Sequence, residues 1–243
     1  MEMIRRYLRQ KFHSVGVVIA LSALALVSAF PLAMSGGASG FESGTLALII
    51  LAAACVSRDE SSGALQMILS RPIRRSEYLL GRFAGVLAGY GAFLLACVGL
   101  ALLVSRLLPL LTGASPAYPS LTGLLRGAAG SLLGAMTMAA PILLLSTFLP
   151  GYGDVLGYIL LGGVLALPSA AARLLQAPAL EKIGTFLRQN LMPDVDWGEV
   201  LSASASGSHL LSEPMGRWLL AVAGYLALAD FVFSRREFAY GRD

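Results

Sequence analysis

From residue 14 onward the chain is a succession of long apolar runs broken by short polar stretches. The run VGVVIALSALALVSAF shows no alternation of apolar and polar positions, so it reads neither as a half-buried strand nor as the roughly ten-residue segment of a membrane barrel. Its length approaches the ~20 residues with which a helix crosses the hydrocarbon core of a bilayer. A helix pairs its backbone groups within one segment, which is what lets it stand in lipid. The pattern predicts an all-α integral membrane protein with six transmembrane helices, near residues 14–34, 41–57, 83–105, 127–149, 155–172 and 216–234. The second is the weakest. At about 1.5 Å per residue, positions 44–57 alone are short, so that helix has to begin at or before Glu42, with a tight bend after Pro31. No repeat of 20 to 50 residues and no inverted repeat is visible, so residues 1–243 read as a single transmembrane domain.

Composition sharpens this. Apolar residues make up 56% of the chain and charged residues only 13%, where a soluble domain carries about 25% charged, so an ordinary soluble domain is excluded. The net charge of +4 raises nucleic acid as a partner, but 16 of the 18 basic residues are Arg and most stand at the ends of apolar runs, where they act as topology signals; no nucleic acid is expected. Twelve of them (Arg5, Arg6, Arg9, Lys11, Arg58, Arg71, Arg74, Arg75, Arg82, Arg235, Arg236 and Arg242) fall on one side of the predicted spans and six on the other. The excess of positive charge on the inner side puts both termini in the cytoplasm and the chain in the plasma (inner) membrane as a multi-pass protein. A cleavable signal peptide is the rival reading of the N-terminus, but the basic segment is too amphipathic and the apolar run too long for it. Cys55 and Cys97 both lie within apolar runs and read as buried thiols, without disulfide or metal. Glycines recur at four-residue spacing in Gly36, Gly40, Gly44, in Gly81, Gly85, Gly89, in Gly130, Gly134 and in Gly153, Gly157, faces that let helices approach closely. Pro141 and Pro168 within spans predict kinks.

The segments between spans carry the remaining information. Over residues 1–13, Met3, Ile4, Tyr7, Leu8 and Phe12 fall on one side of a helix and Glu2, Arg5, Arg6, Arg9, Gln10 and His13 on the other. This predicts an interfacial helix on the inner leaflet, with Arg5, Arg6, Arg9 and Lys11 at the membrane interface against anionic lipid. Residues 58–82 form a cytoplasmic segment too structured for a simple linker. Asp59, Glu60, Ser61 and Ser62 supply acidic and capping side chains to a helix start; Leu65, Ile68 and Leu69 give an apolar stripe; Pro72 ends the helix; Ser76 caps the next. A short helix across the cytoplasmic face, rigidly tied to spans two and three, is the result. In the outer segment, 173–215, Leu180, Ile183, Leu187 and Leu191 recur at helical spacing beside Glu181, Lys182, Arg188 and Gln189, predicting a helix on or dipping into the outer leaflet. Asp194, Asp196, Glu199, His209 and Glu213 lack the spacing of a matched ligand loop and read as solvated charge rather than a cation site. Asp230 is the one acid well inside a span and is expected to pair with Arg235; Glu42 and Asp154 read as interfacial.

With these residues in view, the chain resembles the membrane subunits of type 2 (ABC-2) ATP-binding-cassette transporters. The motif is an acidic residue, a Gly three positions on, an apolar stretch, then Pro, a basic residue, and Gly followed by a basic residue; here Glu60, Gly63, Leu65 to Leu69, Pro72, Arg75, Gly81 and Arg82, with Arg82 in place of the commoner Lys. The order of segments is also similar to that family: an interfacial helix, six spans, LLLSTFLP closing span four, and Phe233, Ser234, Arg235, Arg236, Glu237 and Phe238 after span six. The likeness covers nearly the whole chain in layout but only about 30 residues by motif. It implies that the loop between spans two and three is the coupling helix that docks in a cleft of a cytoplasmic ATPase, with Asp59, Glu60, Gly63, Leu65, Ile68, Leu69, Pro72 and Arg75 in that role. It further implies a second copy of the chain or a related permease as partner, and export as the direction.

Absent motifs bear on the alternatives. Without a GxxxxGK[ST] loop the chain cannot cradle nucleotide phosphates in the usual way, so ATP and Mg are expected on a separate P-loop ATPase subunit, with no cofactor in this chain. A membrane-embedded enzyme would need a nucleophile and base, or metal ligands, facing one another; there is no HExxH and no GxSxG, and His13 and His209 fall on opposite predicted sides. A passive channel or assembly scaffold would not need the stiff connector. The reading is a permease subunit, not an enzyme, moving a hydrophobic or amphipathic cargo by alternating access.

Overall fold

The structure, a computed structural model, describes residues 2–34, 41, 44–61, 63–69, 73–112, 119–193, 195–205 and 213–236. Among these the regular structure is entirely helical: α1 (Glu2–Phe12), α2 (Val15–Met34), α3 (Gly44–Ala52), α4 (Ser57–Ser61), α5 (Ala64–Leu69), α6 (Arg75–Thr112), α7 (Leu121–Ser146), α8 (Gly153–Leu175), α9 (Pro178–Leu191), α10 (Trp197–Ala205) and α11 (Glu213–Arg235). Five of them, α2, α6, α7, α8 and α11, are long and apolar enough to cross a membrane, the make-up of a multi-pass membrane protein. Gly36, Gly40, Glu42, Ser62, Arg71, Pro72, Asp194, His209, Glu237, Phe238 and Arg242 lie outside the described residues.

The expected helix over 41–57 is not formed at that length. α3 has 9 residues, about 13 Å, well short of the ~30 Å hydrocarbon core. The reason is visible at its end. Lys11 Nζ donates to the Ile50 carbonyl at 3.3 Å and the Tyr7 hydroxyl donates to the Leu51 carbonyl, so side chains of α1 satisfy last-turn carbonyls. Residues 53–56 then turn, with Ala54 in the left-handed region at φ 53°. The third expected span is longer than 83–105. α6 begins at Arg75, and its 38 residues run about 57 Å. Its first bond from Tyr78 N to the Arg74 carbonyl gives the cap position to Arg74, not Ser76. α7 and α8 continue through Pro141 and Pro168.

The chain divides into two compact units. The first comprises Met1–Leu51, Ala84–Met136 and Asp196–Leu210. Here α1 lays Tyr7 against Gly85, where an added Cβ would stand 2.7 Å from the ring, and Leu8 against Gly89. Gly44 receives Tyr90, whose hydroxyl shares a 2.8 Å hydrogen bond with Ser131, and Gly130 and Gly134 receive the buried Trp197. With Gly153 and Gly157 of the second unit, which receive Leu149, all four glycine sets contain real close approaches, each filled by an aromatic ring or a leucine.

The second unit comprises Ala52–Phe83, Thr137–Val195 and Leu211–Asp243. After α8, Gln176 turns left-handed at φ 49°, Ala177 N bonds back to the Ala172 carbonyl, and Pro178 opens α9. α9 then folds back along α8, with Gly184 pressed against Ser169 and Pro168. Its far end meets α11, where Tyr225 donates to the Leu191 carbonyl at 3.0 Å and Arg217 to Gln189 at 3.1 Å. The helix expected on or in the outer leaflet is thus a hairpin partner of α8 that reaches the middle of α11, and Gly184 is the residue that permits it.

Candidate functional site

The site is built where α3 gives way to α6. Residues 51–57 are all buried, yet they are not continuously helical, so each free backbone group needs a partner. In the second unit those partners are side chains of the α7–α8 connection. Asp154, fully buried, accepts Ala54 N at 2.7 Å through Oδ2 and Val155 N at 2.9 Å through Oδ1. Ser146 Oγ accepts Val56 N at 3.1 Å and Ser57 N at 3.3 Å, and Ser57 Oγ donates to the Gly151 carbonyl at 2.8 Å. Asp154 is therefore a latch on a strained turn. Charge-assisted hydrogen bonds of this kind are the stronger class.

Beyond the turn the expected single helix is two, α4 and α5, broken at Gly63. Its φ of 70° is left-handed, and its N–H returns to the Glu60 carbonyl at 3.1 Å. Glycine takes that conformation without the penalty a Cβ would bring. Leu65 and Ile68 turn inward and are buried; the side chain of Leu69 lies outside the described residues. Asp59 is buried as well, ion-paired with the buried Arg82 and accepting a 2.8 Å hydrogen bond from the Tyr78 hydroxyl. The Arg82 guanidinium lies 5.4 Å from the Tyr78 ring centroid, and Tyr78 stacks on Phe233 at 5.7 Å. Asp59 thus holds α4 to the start of α6, and the Gly–basic pair at Gly81 and Arg82 supplies its counter-charge.

The end of α11 closes the cluster. Arg75 Nη1 donates to the carbonyls of Phe233 at 3.1 Å, Ser234 at 2.7 Å and Arg236 at 3.1 Å, placing a cation on the negative end of that helix. Arg236 reaches Glu60 at 3.0 Å and the Thr147 carbonyl at 2.6 Å. The segment 52–83 is thereby bonded to the α7–α8 connection and to the last turn of α11, not only to its flanking helices. Among the described residues, Arg58, Ser61, Arg74, Glu77 and Leu80 remain outward, with Met67 at 70% exposure.

Of the residues assigned to the membrane interface, Arg5, Arg6 and Arg9 are exposed, but Lys11 is buried at the end of α3 and does not face lipid. Asp230 makes no ion pair with Arg235, which instead lies over the Phe231 ring at 4.2 Å. Cys55 and Cys97 are buried free thiols. No group of three or more His, Cys, Asp or Glu that could hold a metal ion occurs among the described residues, and Asp196 accepts Glu199 N at 3.1 Å at the start of α10. The sequence reading did not single out Ser146 or the grip of Asp154. Their signal was available: a Ser–Thr pair ending an apolar run, and an acid opening the next.

Comparisons of the chain with protein-family models, with curated proteins and with solved structures find no match in any of the three.

Proposed function

We propose that this chain is the membrane-spanning permease subunit of an ATP-driven transporter of the ABC-2 type, moving a hydrophobic or amphipathic cargo outward, with ATP and Mg bound by a separate P-loop subunit. The observation that carries this is the bracing of segment 52–83: Asp59 pairs with Arg82 within it, and bonds reach two other parts of its unit, from Ala54 and Ser57 to the α7–α8 connection and from Glu60 and Arg75 to the end of α11. A connector that only joined two helices would need none of these. A braced one transmits a push. Force applied to α4 and α5 moves the α7–α8 connection and α11 together with α6, which is the alternating motion a permease requires.

The inward residues hold the elbow, and the outward ones, centred on Met67, dock the ATPase. In the second unit the end of α11 attaches to this stretch through Arg75 and Arg236. This favours the end of α11 on the ATPase side, and the excess of basic residues on the inner side of the predicted spans favours both termini in the cytoplasm. Two permease copies, or this chain with a related one, would enclose the path.

Purification of the chain with its ATPase from native membranes, followed by ATP turnover in reconstituted vesicles, tests the assignment. Met67→Glu and Gly63→Trp are expected to leave the chain inserted and to lower stimulated turnover at least about tenfold, the effect of losing one well-buried contact at an interface. Wild-type turnover in both variants, or an isolated chain that transports without any ATPase, would remove the reading.

A further inference from the structure

We infer that the first unit carries a binding site for an anionic phospholipid, in the groove bounded by the end of α1, α2 and the middle of α6. The groove has a volume of about 400 Å³ and is walled by Leu21, Ala25 and Leu26 of α2 and by Phe93 and Ala96 of α6, with Phe12 at one end. Ser22 is the one polar residue in the lining, so the walls suit a hydrocarbon chain and offer no partner to a polar cargo.

The end marked by Phe12 is where charge enters. Arg5 and Arg9 lie four residues apart on the polar side of α1, and Phe12, three residues after Arg9, stands at the edge of the apolar side next to them. Tyr7 and Lys11 occupy the buried side, and their bonds to the end of α3 fix the rotation of the helix. Arg5 and Arg9 are exposed, and neither is ion-paired among the described residues. α1 is therefore held with Phe12 in the lining of the groove and with two exposed cations on the turns before it. A phospholipid presents that combination in reverse: a phosphate at the end of an acyl chain. A neutral lipid would fill the slot equally well but would not use the arginines. This assignment does not depend on the transport reading, since it rests on α1, α2 and α6 alone.

Reconstitution of the full chain in lipid nanodiscs of mixed phosphatidylglycerol and phosphatidylcholine, with retained lipid counted after extraction, tests it. The wild type is expected to retain phosphatidylglycerol in preference to phosphatidylcholine. Arg5→Gln and Arg9→Gln, both at exposed positions, are each expected to lower that preference about fivefold. Ala96→Trp, exposed on the groove wall, is expected to displace both lipids while leaving the monomer folded. Equal retention of the two lipids by the wild type, or undiminished preference in the double arginine variant, would overturn the site. A change of oligomeric state in Ala96→Trp with lipid retention intact would also overturn it, by giving the groove to a second copy of the chain.

Discussion

α2 and α3 are made of nearly the same material and end differently. Both are predominantly apolar and neither has a charged residue, yet α2 runs 20 residues and α3 only 9. Apolarity does not separate them. The difference lies in what reaches the backbone. In α2 the buried hydroxyl of Ser28 returns to the Leu24 carbonyl at 2.6 Å, within its own helix. At the end of α3 the carbonyls take Lys11 and Tyr7, and the amides that follow take Asp154 and Ser146. In lipid an unpaired backbone group is so unfavourable that the helix is the default. Where buried side chains offer the same pairing, the helix can stop.

The largest test of that contrast removes a charge from the elbow. Arg82→Ala leaves the Asp59 carboxylate buried without its guanidinium, and breaking such a pair from one side costs about 3–5 kcal/mol. The loss is expected as a lower unfolding midpoint in mild detergent, and the double variant Asp59→Leu with Arg82→Leu is expected to recover most of it. A smaller truncation on the exposed side of α2, Leu26→Ala, is expected to stay within about 0.5 kcal/mol. Equal losses at the two places would mean that the elbow is no more braced than an ordinary span.

Asp154→Ala comes next. It deprives the amides of Ala54 and Val155 of a charged acceptor, at about 1.5–3 kcal/mol. Hydrogen exchange reads this more locally than a melting curve. The Ala54 amide is expected to exchange at least about tenfold faster, the equivalent of roughly 1.4 kcal/mol, while the amides of α2 keep their rates. Acceleration spread evenly over both helices would show a general loosening rather than a released latch.

These residues also mark how far the sequence was legible. The long spans could be read from apolar runs alone: α2 begins and ends within a residue of expectation, and α8 and α11 within three. The amphipathic N-terminal helix was equally plain from its spacing. α3 was overextended because AACV continues the apolar run without interruption, and nothing local says that its amides will meet Asp154, 100 residues away. The acidic and basic residues of 57–82 pointed to a structured segment. Their partners could not be read, since Arg82, Thr147 and Arg236 come together only through the packing of α6, α7 and α11. Gly63 was found through its place in a motif, and its positive φ supplies the physical reason for glycine there.

The smallest expected effect is the most discriminating, because it compares two buried serines whose hydroxyls serve different backbones. Ser146→Ala removes the acceptor for Val56 N and Ser57 N, two buried amides with no helical ladder of their own to fall back on, and is expected to cost about 1–3 kcal/mol. Ser28→Ala removes a hydroxyl from a carbonyl that the α2 ladder already pairs and from the weakly hydrogen-bonding Cys97 thiol, so its cost is expected to stay below about 1 kcal/mol. Both side chains are buried and both changes delete one oxygen, so solvation is the same in the two variants. If the two melt together, helix length in this chain is set by something other than who satisfies the backbone, and the braced elbow loses its physical basis. A gap of at least about 1 kcal/mol between them, seen in parallel unfolding curves, would fix the end of α3 as a product of Ser146 and Asp154 rather than of its own residues.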